Sequence, residues 1–275
     1  MSALRGATVR DALDSAVVAI AASGSATPRL DAELLLAHAL GVQRTTLFLD
    51  PGREVAGEAV RRFQDLVRRR SARREPVAYL LGRRGFRHLE LRVDPRVLIP
   101  RPETELLVEI GLEQAPGARV LDVGTGSGAI ALALKDERPD LELAATDVSS
   151  GALAVARENA RRLGLEVTFV EGDLLGGLRP DVILSNPPYV PEGAALPRDV
   201  AGHEPPDALF AGPDGLAVVR RLVPVAIAST ARLLAVEVGA GQAAVVEALA
   251  VEAGFTATAV RRDLAGIERV VVATR

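Results

Sequence analysis

The residues best placed to do chemistry are Asn186-Pro187-Pro188-Tyr189, delivered by the run Asp181-Val182-Ile183-Leu184-Ser185. Small and apolar residues bounded by polar ones read as a short buried strand. It must stop at Asn186, because Pro187 and Pro188 have no backbone N–H for a ladder and fix φ near −65°. The strand therefore opens into a stiff loop that carries carbonyl acceptors but no backbone donors. Such a corner suits a group that brings its own N–H hydrogens, a primary amide or an exocyclic amine. Asn186 adds a side-chain acceptor, and Tyr189 adds a flat face for packing a substrate. Taken alone, a strand followed by a proline-rich turn accounts for the same residues equally well.

A second stretch, Arg119 to Leu134, tips that balance. It reads as an apolar strand, a turn Asp122-Val123-Gly124-Thr125-Gly126-Ser127-Gly128, and then an apolar helix. Strand–glycine turn–helix is the context in which a glycine motif binds a ligand, through close backbone approach and N–H donors at the helix start. The spacing is G-x-G-x-G, but Ala129 also satisfies the looser dinucleotide form, so the turn alone is ambiguous. The strand Leu141 to Thr146 leads to Asp147, an acid placed for two ribose hydroxyls. The strand Glu166 to Glu171 leads to Asp173, an acceptor for an adenine amino group. Asp122 would repel a pyrophosphate and welcome an ammonium. The pattern favours S-adenosylmethionine over a nicotinamide dinucleotide.

These residues need a scaffold, and the remaining sequence describes one. Apolar residues make up 48% of the 275 and charged ones 25%, which is ordinary for a globular protein. With no cysteine, disulfides and thiolate metal sites are excluded, which fits a reducing, cytoplasmic setting. The apolar run Ala16 to Ala22 follows Asp11 and Asp14 and reads as a buried helical face rather than a secretory leader. No stretch approaches membrane-spanning length. Residues 1–75 read as a helical bundle: a helix from Thr8 or Asp11 to Ala22, another from Pro28 to Gly41, and a third from about Val55 to Arg73. Residues 76–102 form a connector with hairpin character, in which Leu89-Glu90-Leu91-Arg92-Val93 alternates apolar with polar. Thr104 is placed to cap a helix over Glu105 to Glu113.

Residues 103–275 alternate strands and helices, ending in two strands, Thr256 to Val260 and Ile267 to Ala273. This predicts an α/β Rossmann-like fold: a mostly parallel, seven-stranded sheet with an antiparallel edge hairpin, preceded by the small helical bundle. Ligand chemistry then belongs at the carboxyl ends of the strands, where Gly124, Asp147, Asp173 and Asn186 fall. The loop Val190 to Pro213 carries five prolines, and its segment His203-Glu204-Pro205 is placed to cover the site. Between Pro51 and Arg101, fourteen arginines meet six acids in a chain of net charge −3. That run is either a solvated face or a docking surface for an acidic macromolecule. His38, His88 and His203 lack ligand-like spacing, so no metal site is expected. There is no G-x-S-x-G elbow and no Walker lysine, and Lys135 is the only lysine.

The chain resembles the bacterial peptide chain release factor N5-glutamine methyltransferases, class I S-adenosylmethionine-dependent enzymes. The resemblance rests on Glu75-Pro76-Val77-Ala78-Tyr79-Leu80, Leu98-Ile99-Pro100-Arg101-Pro102-Glu103-Thr104-Glu105, the Asp122–Gly128 turn and Asn186-Pro187-Pro188-Tyr189. His203-Glu204-Pro205 and Gly266-Ile267-Glu268-Arg269 fit as well. It implies methylation of the glutamine in the Gly-Gly-Gln motif of release factors, with S-adenosylhomocysteine as coproduct. It further implies cofactor contacts at Gly124, Thr125, Gly126, Ser127, Gly128, Asp147, Asp173, Leu174 and Asn186. Leu174 stands where some members carry a bulkier aromatic. Substrate contacts are implied at Asn186, Pro187, Pro188, Tyr189, Phe86 and Arg101, with Asn186 and Pro187 catalytic. The expected partner is the release factor, docked by the arginine-rich front region through residues such as Arg68 and Arg69. A cytoplasmic monomer is expected, with no membrane and no nucleic-acid substrate. A glutamine methyltransferase for a ribosomal protein, and an N6-adenine methyltransferase for DNA or RNA, are the alternatives.

Overall fold

The computed structural model describes residues 7–275. They divide into two compact units: residues up to Gly82 with Leu196–His203, and Arg83–Ala195 with Glu204–Arg275.

The first unit is helical: α1 (Val9–Ala22), α2 (Pro28–Leu40), α3 (Arg44–Leu49), α4 (Glu58–Ala72) and α5 (Val77–Leu81). Thr8 and Asp11 form a capping box that starts α1. Pro28 opens α2 and Gly41, left-handed, closes it. Leu13, Ile20, Leu35, Leu36, Phe63 and Leu66 form its core, and Leu80 of α5 belongs to it. The apolar stripe of α4 runs Phe63, Leu66 and then Arg70, so the third arginine of Arg68-Arg69-Arg70 points inward. Its guanidinium donates to Asp31 at 2.8 Å and to the Ser25 hydroxyl at 3.3 Å, and lies 3.5 Å from Asp199. Arg68 pairs with Asp65 and Arg69 with Glu75. The helical segment Arg198–Ala201, α9 in chain order, clusters with these helices, and His203 meets the Arg73 carbonyl at 2.9 Å.

The second unit begins with a hairpin, β1 (Arg83–Phe86) and β2 (Leu89–Arg92), then a 3₁₀ turn (Pro102–Thr104) and α6 (Glu105–Leu112). Next come β3 (Arg119–Val123), α7 (Ala129–Glu137), β4 (Glu142–Asp147), α8 (Ser150–Leu163), β5 (Thr168–Glu171) and β6 (Val182–Ser185). After the loop that carries α9 follow α10 (Ala217–Ala228), β7 (Leu233–Glu237), α11 (Ala243–Ala253), β8 (Ala257–Arg262) and β9 (Glu268–Thr274). The seven strands run in the order β5-β4-β3-β6-β7-β9-β8, and β9 pairs antiparallel with both β7 and β8. This is the class I methyltransferase architecture expected from the sequence.

The central strands β3, β6 and β7 are buried on both faces, so alternate residues feed two cores. Val120, Val182, Leu184 and Ala235 join one core with α6 and α7. Leu121, Ile183, Leu234 and Val236 join the other with α10 and α11. A fully buried Leu or Ile contributes roughly 1.5–3 kcal/mol, so these rows hold the sheet rigid beneath its loops. The order reverses between β3 and β6, which are adjacent and parallel, and that is where open α/β sheets form their crevice.

Candidate active site

Strand register decides which residues meet at that crevice. Val123 of β3 is opposite Ser185 of β6, and Ser185 is opposite Val236 of β7. The next residues along, Gly124, Asn186 and Glu237, therefore emerge side by side at the carboxyl edge. On the other flank Thr146 of β4 is opposite Val123, which brings Asp147 beside the glycine turn. Asp173 and Leu174 follow β5, one strand further out.

The glycine turn is held from within the protein. Gly124 and Thr125 donate their backbone N–H to the Thr146 carbonyl at 2.9 and 3.0 Å, and Gly126 donates to Asp147 Oδ2 at 2.9 Å. Gly128 donates to the Thr125 carbonyl at 2.9 Å. Strand β4 takes three of these four. Gly128 sits at φ +85°, and a Cβ there would lie 2.8 Å from Leu132. At Gly124 and Gly126, also at positive φ, a Cβ would meet nothing within 4 Å. The open side of the turn begins there.

Asp122 lies fully buried beneath this turn. Its Oδ2 accepts from the Thr125 hydroxyl at 2.6 Å and from the Ala131 backbone N–H at 3.3 Å. It thereby serves an orphan donor in the first turn of α7, whose cap residue, Gly128, has no side chain to do so. Burial pushes its carboxyl up to about 7, against the lowering effect of those two bonds. Asp147 is half-buried, and its Oδ1 accepts from the Ser149 N–H at 2.9 Å. Asp173 is exposed and paired with Arg221. Leu174 adopts a left-handed backbone at φ +49°, and its carbonyl accepts from the Thr146 hydroxyl at 2.6 Å.

Asn186 is half-buried, and its Nδ2 donates to the Thr104 hydroxyl oxygen at 3.0 Å. Tyr189 donates its hydroxyl to the Glu237 carboxyl at 3.3 Å. Asn186 Oδ1 is left buried with no partner. Glu237 is 1% exposed, and burial pushes its carboxyl up to about 7. Burial, then the nearby Glu237, pushes the Tyr189 hydroxyl up to about 12.

The loop after Asn186 is clamped at Tyr189. Gln242 donates to the Tyr189 carbonyl at 3.0 Å and accepts from the Gly239 N–H at 2.8 Å. Gly215 packs so closely that a Cβ would stand 2.1 Å from the same carbonyl. Val190 continues the clamp, donating to the Leu209 carbonyl at 2.8 Å.

Thr104, Glu237 and Gln242 escaped the sequence reading. Thr104 was expected to cap α6, but its side chain makes no cap bond because it serves Asn186. Glu237 carried a signal: an acid within the apolar run Leu233–Val238, on the strand beside Asn186. Of the other two expected substrate residues, Arg101 immediately precedes the 3₁₀ turn that carries Thr104, and Phe86 lies in the core. Arg101 pairs with Glu204, whose buried carboxylate also accepts from the Ile99 N–H at 3.1 Å. Phe86 is 2% exposed and packs in the core with Leu89, Leu91 and Leu107, so its burial lends no support to a substrate contact. A groove of about 1440 Å³ opens at the amino ends of β3 to β5, lined by Arg119, Glu142 and Thr168, the wrong edge for this chemistry. Among the described residues no acid–histidine group could hold a metal, and no helix is long and apolar enough to cross a membrane.

The chain is similar to known proteins. The family model of the PrmC N-terminal domain matches residues 11–82, and that of the methyltransferase small domain matches residues 102–201. The chain is 43% identical to the release factor glutamine methyltransferase of Mycolicibacterium smegmatis, over 97% of this chain and 98% of that one. It is 44% identical to that of Deinococcus radiodurans, over the same shares. Among solved structures, the catalytic domain of hMettl16 in complex with the MAT2A 3'UTR hairpin 6 matches with a TM-score of 0.55 at 16% identity. That match covers 79% of this chain and 81% of the other. A methyltransferase from Pyrococcus furiosus matches with a TM-score of 0.52 at 18% identity, over 68% and 89%. At such identities these two structures speak for the fold alone.

Proposed function

The chain belongs to the release factor glutamine methyltransferase family, and from that premise we propose that it methylates the side-chain amide nitrogen (N5) of the glutamine in the Gly-Gly-Gln motif of release factors, in the cytoplasm, using S-adenosylmethionine. The carrying observation is a row of unsatisfied acceptors. Asp122 Oδ1, Asn186 Oδ1 and Glu237 Oε2 are the buried side-chain oxygens without a hydrogen-bond partner among the described residues. All three belong to β3, β6 and β7 or the residue just beyond, at one edge of the sheet. Such groups are rare in native proteins and mark places where a ligand supplies the donor.

The residues fit S-adenosylmethionine. Asp122 Oδ1 suits its ammonium, the open space beside Gly124 and Gly126 admits its backbone, and Asp147 retains acceptor capacity for ribose hydroxyls. When bound, the cofactor supplies a methyl group on a sulfonium, an electrophile whose sulfur departs as a neutral thioether. The protein's task is the other reactant. An amide nitrogen is a poor nucleophile because its lone pair is delocalised into the carbonyl. Asn186 Oδ1 and the Pro187 carbonyl accept its two hydrogens, orient it and return electron density to nitrogen, while the Tyr189 ring packs its flank. Neither acceptor is a base of useful strength, so the proton released after transfer passes to water. Catalysis rests on alignment and fixed dipoles, and alignment alone is worth roughly 7–11 kcal/mol of barrier in favourable cases.

Asn186→Ala tests this directly. Cofactor affinity by calorimetry should stay within about tenfold, while methyl transfer to a release factor falls by about 10²-fold or more, as when a preorganised transition-state contact is lost. Turnover near the wild-type rate would overturn the assignment.

A further inference from the structure

Resting on the roles proposed above for Asn186 and Pro187, we infer that Gln242 is a positioning residue for methyl transfer. It fixes the Tyr189 carbonyl and, through two stiff prolines, the aim of the Pro187 carbonyl at the substrate amide. From Pro187 to Tyr189 the backbone makes one hydrogen bond among the described residues, the one that Gln242 Nε2 donates to the Tyr189 carbonyl at 3.0 Å. The prolines have no N–H to give and no freedom in φ, so little of the turn can flex. A shift at Tyr189 is therefore passed back to Pro187 rather than absorbed on the way. Such a shift matters for an acceptor whose value lies in alignment, since a misplacement of about 1 Å can cost about 10²-fold in rate.

The Gln242 carboxamide is fully engaged in this task. Its second N–H hydrogen goes to the Asp214 carbonyl at 3.1 Å, and its Oε1 accepts from the Gly239 N–H at 2.8 Å. It thus ties the loop after β6 to the turn before α10 and to the loop after β7. Those anchors are firm. Asp214 Oδ1 accepts from the Leu216 N–H at 3.2 Å, and its carboxylate pairs with Arg220 of α10. Val219 and Leu222 of α10 pack in one core with Val246 and Ala250 of α11. Two glycines make room for the side chain: a Cβ on Gly215 would stand 2.9 Å from Gln242 Nε2, and one on Gly239 3.0 Å from its Oε1. A carboxamide offers two donors and an acceptor at one point, whereas a carboxylate of the same shape would turn an oxygen toward two carbonyls. The glycine turn and Asp147 belong to β3, β4 and the residues between them, and none of their hydrogen bonds involves Gln242.

Gln242→Glu is the test, with Gln242→Leu beside it in case the introduced charge prevents folding. Calorimetry with S-adenosylmethionine counts the folded sites, and turnover is read per site, so that unfolded protein is not mistaken for a slower step. Gln242→Glu should bind the cofactor within about threefold of wild type and lower kcat per site about 10²-fold at pH 8. KM for the release factor should change less than about threefold, since a lost transition-state alignment acts on kcat. The ratio of wild-type to variant kcat should narrow as pH falls to about 5, because protonation gives the introduced carboxyl one hydrogen to offer the Tyr189 carbonyl. Gln242→Leu, which cannot titrate, should lose about tenfold in kcat with no such recovery, a difference that a packing role would not give. Wild-type kcat per site in both variants, with Asn186→Ala inactive, would overturn the inference and leave the assigned activity standing. A loss confined to KM or to cofactor affinity would overturn it too. An active Asn186→Ala would instead remove the premise.

Discussion

Replacing Asp122 by Asn isolates the electrostatic cost of the turn's foundation. The folded protein holds this carboxyl at about 7, against an ordinary value of 3.8, chiefly because it is buried. Below pH 3.8 both folded and unfolded chains carry the proton and the group contributes nothing. As pH rises toward 7 the unfolded chain ionises while the folded one keeps its proton, so stability falls. Above 7 both are ionised and the full cost is present. Three pH units at about 1.36 kcal/mol each make that cost about 4 kcal/mol. Asn keeps one oxygen for Thr125 and Ala131 and puts an NH₂ where Oδ1 has no partner, a buried donor left unmade at about 1–3 kcal/mol. Asp122→Asn should therefore be less stable than wild type at pH 4 and more stable at pH 8, with the curves crossing in between. Urea unfolding followed by circular dichroism at several pH values reads this directly. Glu237 titrates in the same range in both proteins and cancels from the difference. Parallel stability curves from pH 4 to 8 would refute the reasoning.

Three further changes probe packing, backbone and buried charge. Gly128→Ala forces a left-handed backbone onto alanine and drives its Cβ to 2.8 Å from Leu132 and 3.3 Å from Ala156, for a loss of about 2–4 kcal/mol in thermal unfolding. Gly126→Ala, with open space beside it, should lose only about 1–2 kcal/mol from the backbone yet weaken cofactor binding in calorimetry more than its stability loss explains. Arg70→Met leaves Asp31 buried with only Ser25 and Thr27 as partners, and should cost about 3 kcal/mol in urea unfolding.

Periodicity made most of the fold legible. Strands bounded by glycine, proline or acid stand out because a sheet buried on both faces demands continuous apolar runs, as in Val182-Ile183-Leu184. The glycine turn and Asn186 could be placed at one edge because parallel strands send their carboxyl ends the same way. What stayed hidden depends on contacts between distant residues. Thr104 precedes a helix and looks like its cap, and only the fold brings it to Asn186, eighty-two residues on. Arg70 sits in a run of three arginines, and its inward direction follows from a stripe it shares with Phe63 and Leu66, a pattern that charge counting obscures. The bonds that hold the glycine turn were hidden for the same reason, since the Thr146 carbonyl and the Asp147 carboxylate that accept them lie on another strand.

Asp122 and Glu237 are better understood as a pair than singly. Each is buried at the carboxyl end of a parallel strand, gives one oxygen to a group it positions, and leaves the other without a partner. With Asn186 Oδ1 they make three unmet acceptors, at roughly 1–3 kcal/mol apiece, in a protein class whose total stability is roughly 5–15 kcal/mol. Hydrophobic replacements would relieve that cost, so stability gives no reason for these residues to be where they are. On the proposed function the reason lies in what enters the crevice: an ammonium against Asp122 and a carboxamide against Asn186 would each supply the missing donor. Binding then relieves part of a strain already present in the free protein, and the folded state gains from ligand more than contact area alone would give.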